Sequence, residues 1–311
     1  MVNIKTIHVL ALLAITGASP FALADMYVPV DFPGAISTDA NGINASGTIV
    51  GGYTDQAGVP HGFSFTNGVF ATIDYPGSTS TAAIAVNARG DIAGFFLDTT
   101  GRWHGFVFAN GQFFVQDNPL ATTGTFTLGI NASGTLVGEF KVGQAFGQLG
   151  FAWIQRHGDY AQLTPPDCRG ETPAHPVQAF ATAINSRNDV VGRLIDAAGQ
   201  QCAWRLDKNG VYSILTFPGA SLTNARGVNA VGEVVGVSRV NGVNHGFVLP
   251  PDDVIDFISI DFPGAASTRA LGINSRGDIV GTYALAGPAG VGHGFVLTRD
   301  NVGDADDPGE D

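Results

Sequence analysis

The chain has 311 residues, with 43 Gly, 16 Pro, 14% charged residues and a formal net charge of −12. That composition predicts many turns and short strands in place of helices, in a chain long enough for one large β domain. The acidic balance argues against nucleic acid as a partner, because an acidic surface repels phosphate backbones.

The first element is an export signal. Lys5 gives a positive start, Val9 to Ile15 form an unbroken apolar run, and Ala22-Leu23-Ala24 supplies an A-x-A cleavage site. This predicts a signal peptide over residues 1–24 and a secreted or periplasmic protein. The apolar run falls well short of the ~20 residues a membrane-spanning helix needs, so no membrane insertion of the mature protein is expected. At the other end, residues 304–311 carry five acids and no base, which predicts a disordered acidic tail. Pro308 interrupts any calcium-loop spacing there.

Between these ends one phrase recurs, I/V-N-x-x-G-x-I/V-x-G, around Asn44, Asn87, Asn131, Asn185, Asn229 and Asn274, at intervals of 43, 44, 54, 44 and 45 residues. Each unit opens with a Pro-Gly loop such as Asp31-Phe32-Pro33-Gly34. A strand of small residues leads into the Asn, then a four-residue turn, then a second strand. A third strand opens with His-Gly-Phe at His61, His104, His245 and His293, with Leu149 and Cys202 in place of His in units three and four. A tight turn such as Asn67-Gly68 leads to a fourth strand. The Asn turn has its own chemistry: Asn bonds the backbone ahead, and the fourth position needs a left-handed residue. That position is Gly47, Gly90, Gly134, Gly232 and Gly277, and in unit four Asn188, the other residue type that tolerates φ > 0.

Six such units predict an all-β, closed six-bladed β-propeller with four-stranded blades over residues 25–303. The chain opens with a fourth-strand segment, Met26 to Asp31, and its last unit stops after a third strand, Gly294 to Thr298. The N-terminal strand would therefore complete the last blade. A solenoid is the alternative, and it leaves that offset unexplained.

The phrases I-N-x-x-G-x-I-V-G, P-G-A and H-G-F resemble the bacterial extracellular HAF-repeat family across essentially the whole mature chain. The resemblance implies an exported repeat protein and transfers no active site. This sequence carries Gly where the family name implies Ala.

Alternating strands sort the loops onto two faces. The Pro-Gly loops share a face with the irregular segments: Thr164 to Pro176, Lys141 to Gln148 and Ala284 to Gly292. Function is expected on that face. Cys168 and Cys202 both fall there, and a disulfide between them would pin the insertion at about 2–4 kcal/mol.

The first strand of each unit is expected to be innermost, with small residues two and four positions before Asn. The positions between them vary. Five before Asn stand Asp39, Ala82, Phe126, Phe180, Asn224 and Arg269; three before stand Asn41, Ile84, Leu128, Thr182, Arg226 and Leu271. A ligand at the channel mouth would meet Asp39, Asn224, Arg226 and Arg269, with Phe126 and Phe180 as apolar surfaces. The bland reading is a set of channel-lining polar groups around water.

Other features are read structurally. A ring of single His residues cannot converge on one metal ion, since Zn–N bonds span only about 2.0–2.1 Å; each is expected to bond its neighbouring loop. The Asp before each Pro-Gly loop (Asp31, Asp74, Asp117, Asp261) is read as a turn cap. Two Arg-Gly-Asp tripeptides, at Arg89 and Arg276, follow from turn rules. Glu139 and Arg193 share a column eight residues after Asn and read as a surface ion pair. No motif calls for a metal or cofactor. The expected function is a non-enzymatic binding module for a glycan or extracellular protein. The alternatives are a propeller hydrolase or lyase using Asp39, the only inner-strand carboxylate, with Arg226 or Arg269, and a structural envelope or matrix protein.

Overall fold

A computed structural model describes residues 26–144, 147–171, 178–251, 253–287 and 291–299. The signal peptide and the acidic tail lie outside the described residues, as does 172–177 of the insertion. The described chain holds twenty-four strands and no helix.

Each unit folds as an antiparallel sheet with its strands in chain order. In unit one these are Ser37–Ile43, Ile49–Thr54, Pro60–Thr66 and Val69–Ile73. Unit six has three strands of its own, and Met26–Pro29 adds to its outer edge, pairing antiparallel from Met26 opposite Thr298 to Pro29 opposite Phe295. This is the pairing that the strand offset predicts. No sheet closes on itself. Instead the units meet side by side, and unit six meets unit one: Thr38 N donates to Gly292 O at 2.9 Å, and Thr282 Oγ1 donates to Asp39 Oδ1 at 2.6 Å. Units two and three depart from the plan of separate sheets, because one parallel bridge from Gly124 to Trp103 merges them into an eight-stranded sheet.

The repeated phrase earns its residues by packing. One aromatic per unit is fully buried on the third strand: Phe63, Phe106, Trp153, Trp204, Phe247 and Phe295. Each lies over the closing Gly of the phrase on the second strand. A Cβ on Gly51 would meet the Phe63 ring at 2.6 Å, so only Gly fits there. This register corrects the alignment of unit three: Phe151 stands opposite Phe140 as His61 stands opposite Tyr53, so the counterpart of His is Phe151 and not Leu149. The expected loop from Lys141 to Gln148 is also corrected. The strands Leu136–Gln144 and Gly147–Arg156 extend through most of it as a long hairpin.

The six Asn residues do more than turn the chain. In unit two, Asn87 Oδ1 accepts Arg89 N at 2.9 Å and Asp91 N at 3.0 Å, while its Nδ2 donates to Asn131 O at 3.2 Å in the next unit. The same link runs from Asn44 to Asn87 O, from Asn131 to Asn185 O, from Asn185 to Asn229 O and from Asn274 back to Asn44 O. Asn229 instead donates to Glu233 Oε2 at 2.6 Å, and Glu233 accepts Arg299 of unit six at 3.0 Å. The turn chemistry is as read: Asn188 sits at φ 66° where its sister units place Gly.

Candidate functional site

The first strands ring the axis, and all six carry the same irregularity. The register to the second strand slips by one residue at Asn41, Ile84, Leu128, Thr182, Arg226 and Leu271. A bulged residue has no cross-strand partner, and its side chain is re-aimed away from the ladder. Its neighbours stay small because the units crowd: a Cβ on Gly42 would meet Ile84 O at 2.8 Å, and one on Gly272 would meet Asn41 O at 2.8 Å. The six bulge residues together line an axial cavity of about 240 Å³.

The same cavity takes Phe95, Phe126, Glu139, Phe180 and Arg193. Cross-strand pairing explains this set. The residue eight after Asn stands opposite the residue five before it, so Glu139 faces Phe126 and Arg193 faces Phe180. Each first strand runs from its Pro-Gly loop to its Asn turn, so these pairs sit on the Pro-Gly side of the bulge ring.

The predicted residues divide. Arg226, Phe126 and Phe180 line the axial cavity. Asp39 and Arg269 instead line a separate groove of about 380 Å³ between units one and six, with Ser37, Ser267 and Thr282. The hydroxyl of Thr282 holds Asp39 in that seam. Asn224 lines neither cavity and is buried, with its Oδ1 unbonded. The two Phe rings are not open platforms: the Arg193 guanidinium lies 3.8 Å over Phe180, and Lys141 Nζ lies 4.6 Å over Phe126. Phe126 also meets Phe95 and Trp103 at centroid distances of 5.0 and 5.5 Å, making an aromatic wall from units two and three.

Glu139 and Arg193 are not a surface pair. Glu139 is 5% exposed, and its one ion-pair partner among the described residues is Lys141 at 3.8 Å. Burial pushes its carboxyl up to about 7, against the pull of Lys141 and Arg193. Arg193 is pushed below the ordinary guanidinium value by burial, against Glu139. Arg226 is pushed down to about 10 by burial and by its like-charged neighbours Arg193 and Arg269, with Asp39 opposing. The Nε atoms of Arg193 and Arg226 and Oε1 of Glu139 are buried without a hydrogen-bond partner. The sequence reading named Glu139 and Arg193 but set them on the surface, because their column enters the cavity only through its register with the inner strand.

The remaining polar motifs are satisfied internally. His61, His104, His245 and His293 bond Asp74, Asp117, Asp261 and Asp31 through Nδ1 at 2.7 to 3.0 Å. The Asp before each Pro-Gly loop therefore receives the His, and at Asp74 and Asp31 also the backbone N of Gly62 and Gly294. The turn-cap reading is corrected, because the N–H that opens the loop donates to a Thr hydroxyl, Phe32 to Thr38, Tyr75 to Thr81 and Phe262 to Thr268. Both Arg-Gly-Asp turns are clamped. Arg89 pairs with Asp91 at 2.7 Å and donates to Ala132 O at 2.6 Å; Arg276 pairs with Asp278 at 2.8 Å and donates to Ala45 O at 2.6 Å. Cys168 and Cys202 form a disulfide with a Cα–Cα distance of 5.7 Å, tying the insertion to the third strand of unit four. Such bonds belong to oxidising compartments. Among the described residues, no helix is long and apolar enough to cross a membrane, and no group of three or more His, Cys, Asp or Glu could hold a metal ion.

Comparison with solved structures gives the fold as that of β-propellers. TolB from Acinetobacter baumannii matches with a TM-score of 0.52 at 14% identity, over 82% of this chain and 64% of that one. An Aleuria aurantia lectin variant in complex with Fucα1-6GlcNAc matches with a TM-score of 0.50 at 10% identity, over 87% of this chain and 98% of that one. A streptogramin B lyase matches with a TM-score of 0.48 at 13% identity, over 88% and 98%. At these identities the likeness is one of fold alone. No family model and no curated protein matches the sequence.

Proposed function

We propose that the chain is an exported binding module on a closed six-bladed propeller of HAF-type repeats, with the axial cavity as the seat of a glycan. The observation that carries this reading is the bulge ring. Its scaffold neighbours repeat from unit to unit, while the six residues aimed at the axis are Asn, Ile, Leu, Thr, Arg and Leu. A column that varies from unit to unit where it faces a cavity, beside neighbours that stay small, has the layout of a recognition site on a fixed frame. The disulfide supports the exported setting.

One observation favours hydrolysis or elimination as a second reading. Glu139 places a carboxyl that titrates near neutrality in the same cavity as two guanidinium groups, a pattern that suits general acid–base work. It takes the role expected of Asp39. Glycoside hydrolysis ordinarily uses two carboxylates, and among the described residues Glu139 is the one carboxylate lining the cavity.

The test is a glycan array and polysaccharide pull-down with wild type, Arg226→Ala and Arg269→Ala, with reducing-end release measured on the same samples. Binding lost only in Arg226→Ala is the expected result. Loss only in Arg269→Ala would move the site to the seam groove. Binding kept in both would shift attention to the insertion at Cys168. Binding to no glycan at all would refute the glycan reading.

A further inference from the structure

The protein carries 27 Asp and Glu against 15 Lys and Arg, so carboxylates are in excess. Arg89, Arg187, Arg276 and Arg299 each pair with one, with N–O distances of 2.7, 2.9, 2.8 and 3.0 Å. Arg193 and Arg226 do not. Among the described residues neither side chain makes an ion pair or a hydrogen bond, and the Nε of each is buried without an acceptor. Their setting makes the omission costly: each guanidinium is partly desolvated, and Arg226 has Arg193 and Arg269 as repelling neighbours against the single opposing pull of Asp39. Among the described residues the one carboxylate lining the cavity, Glu139, already leans on Lys141 at 3.8 Å. Phe180 holds the Arg193 plane from below at 3.8 Å. That leaves the Nε edge, the edge that grips a carboxylate through two parallel bonds, without a partner.

The rest of the lining narrows the ligand. Ile84, Leu128 and Leu271 give three apolar faces of the bulge ring, and Asn41, whose Nδ2 donates to Ala83 O at 3.0 Å, has no Oδ1 partner among the described residues. A volume of about 240 Å³ lies below the range usual for drug-sized ligands. It suits a compact organic body better than a bare inorganic anion, which would leave the apolar faces unused.

Building on the binding reading above, we propose that the axial cavity takes a small hydroxylated carboxylate, in carbohydrate form a hexuronate, with its carboxylate seated between Arg193 and Arg226. Free sugar acid and the uronate end of an acidic polysaccharide present the same group.

The test is calorimetric titration of the purified protein at pH 6 and low salt with glucuronate, its methyl ester, glucose, inorganic phosphate and a uronate-terminated oligosaccharide. Glucuronate should bind at least about tenfold more tightly than the ester, glucose or phosphate, as a charge-assisted bidentate contact requires. Arg193→Gln and Arg226→Gln should each weaken it by about tenfold or more, while Arg269→Gln leaves it unchanged. A tighter oligosaccharide than monosaccharide would assign the source to a polymer end, and equal affinities to the free acid. The ester comparison uses only wild type, so it decides the matter even if a variant misfolds. Equal binding of acid and ester, or phosphate binding as tightly as glucuronate, overturns the proposal. If the ester and glucose bind as well as the acid, the glycan reading stands and only the charge assignment falls. If array glycans bind but no uronate does, this proposal alone fails; if nothing binds, both do.

Discussion

The Asn belt and the axial cavity are built on the same six strands, three residues apart, and they treat polar groups in opposite ways. At the belt, Asn87 and four of its sisters spend both amide ends on backbone groups, Asn229 donates to Glu233, and the Arg side chains of the turns are paired to Asp. At the cavity, the Nε atoms of Arg193 and Arg226 and one carboxyl oxygen of Glu139 are buried without a hydrogen-bond partner. The belt is also uniform in sequence where the cavity is mixed. A satisfied, repeated polar group holds the frame together; an unsatisfied, unrepeated one is held at a cost to stability that only a ligand would offset.

The largest test of that contrast is at the belt. Asn87 and Asn274 make matching bonds: to backbone N two and four residues on, to the next unit's Asn O and to their own turn Asp. Replacing either by Ala leaves two backbone donors unmatched and removes the link between units, a loss of about 4 kcal/mol by urea unfolding. Equal losses are expected. A much smaller loss for Asn274→Ala would mean that the seam between units six and one contributes less than the other junctions.

At the cavity the sign should reverse. The folded-state carboxyl of Glu139 titrates at about 7 against an ordinary 4.5, so the folded protein holds that proton more tightly than the unfolded chain. Stability from this group is full below about pH 4.5 and is lost as pH rises through about 7. Glu139→Gln should therefore match wild type at pH 4 and exceed it by about 2 kcal/mol at pH 8.5, read from paired denaturant curves. A variant less stable than wild type at pH 8.5 would show that the carboxylate is well paired, and the contrast with the belt would weaken.

The smallest effect is expected at the rim of the belt. Arg89 is exposed, and its ion pair with Asp91 should contribute less than about 1 kcal/mol, so Arg89→Ala should shift the melting temperature only slightly. A large shift would extend the cooperative belt out to the turn tips.

Much of the frame was legible in the residues themselves. The Asn-x-x-Gly turns, the small residues beside the axis and the surplus first strand each left a repeated letter or an offset to read. The cavity was legible only in part. Arg226 was found because the inner column varies, but the bulge that aims it has no residue signature, and it shows only as a slip in pairing. Glu139 and Arg193 were visible as a column, yet their burial depends on which inner residue they oppose. Phe126 and Phe180 line the cavity, and the cations that cover their rings come from the neighbouring strand and leave no mark in local sequence. Asp39 and Arg269 occupy equivalent positions in units one and six, yet Thr282, eight residues after its Asn, draws Asp39 toward the seam. That is a tertiary contact spanning 243 residues of sequence separation.

The bulge has one more consequence. Because its residue carries no pairing duty in any of the six units, each can be exchanged without asking the ladder beside it to change register. Among the described residues, the four whose side chains bond nothing in the frame, Ile84, Leu128, Arg226 and Leu271, thus behave as interchangeable fittings on a common hub, whereas Asn41 and Thr182 also tie their strands to the next unit through Ala83 O and Ala225 O.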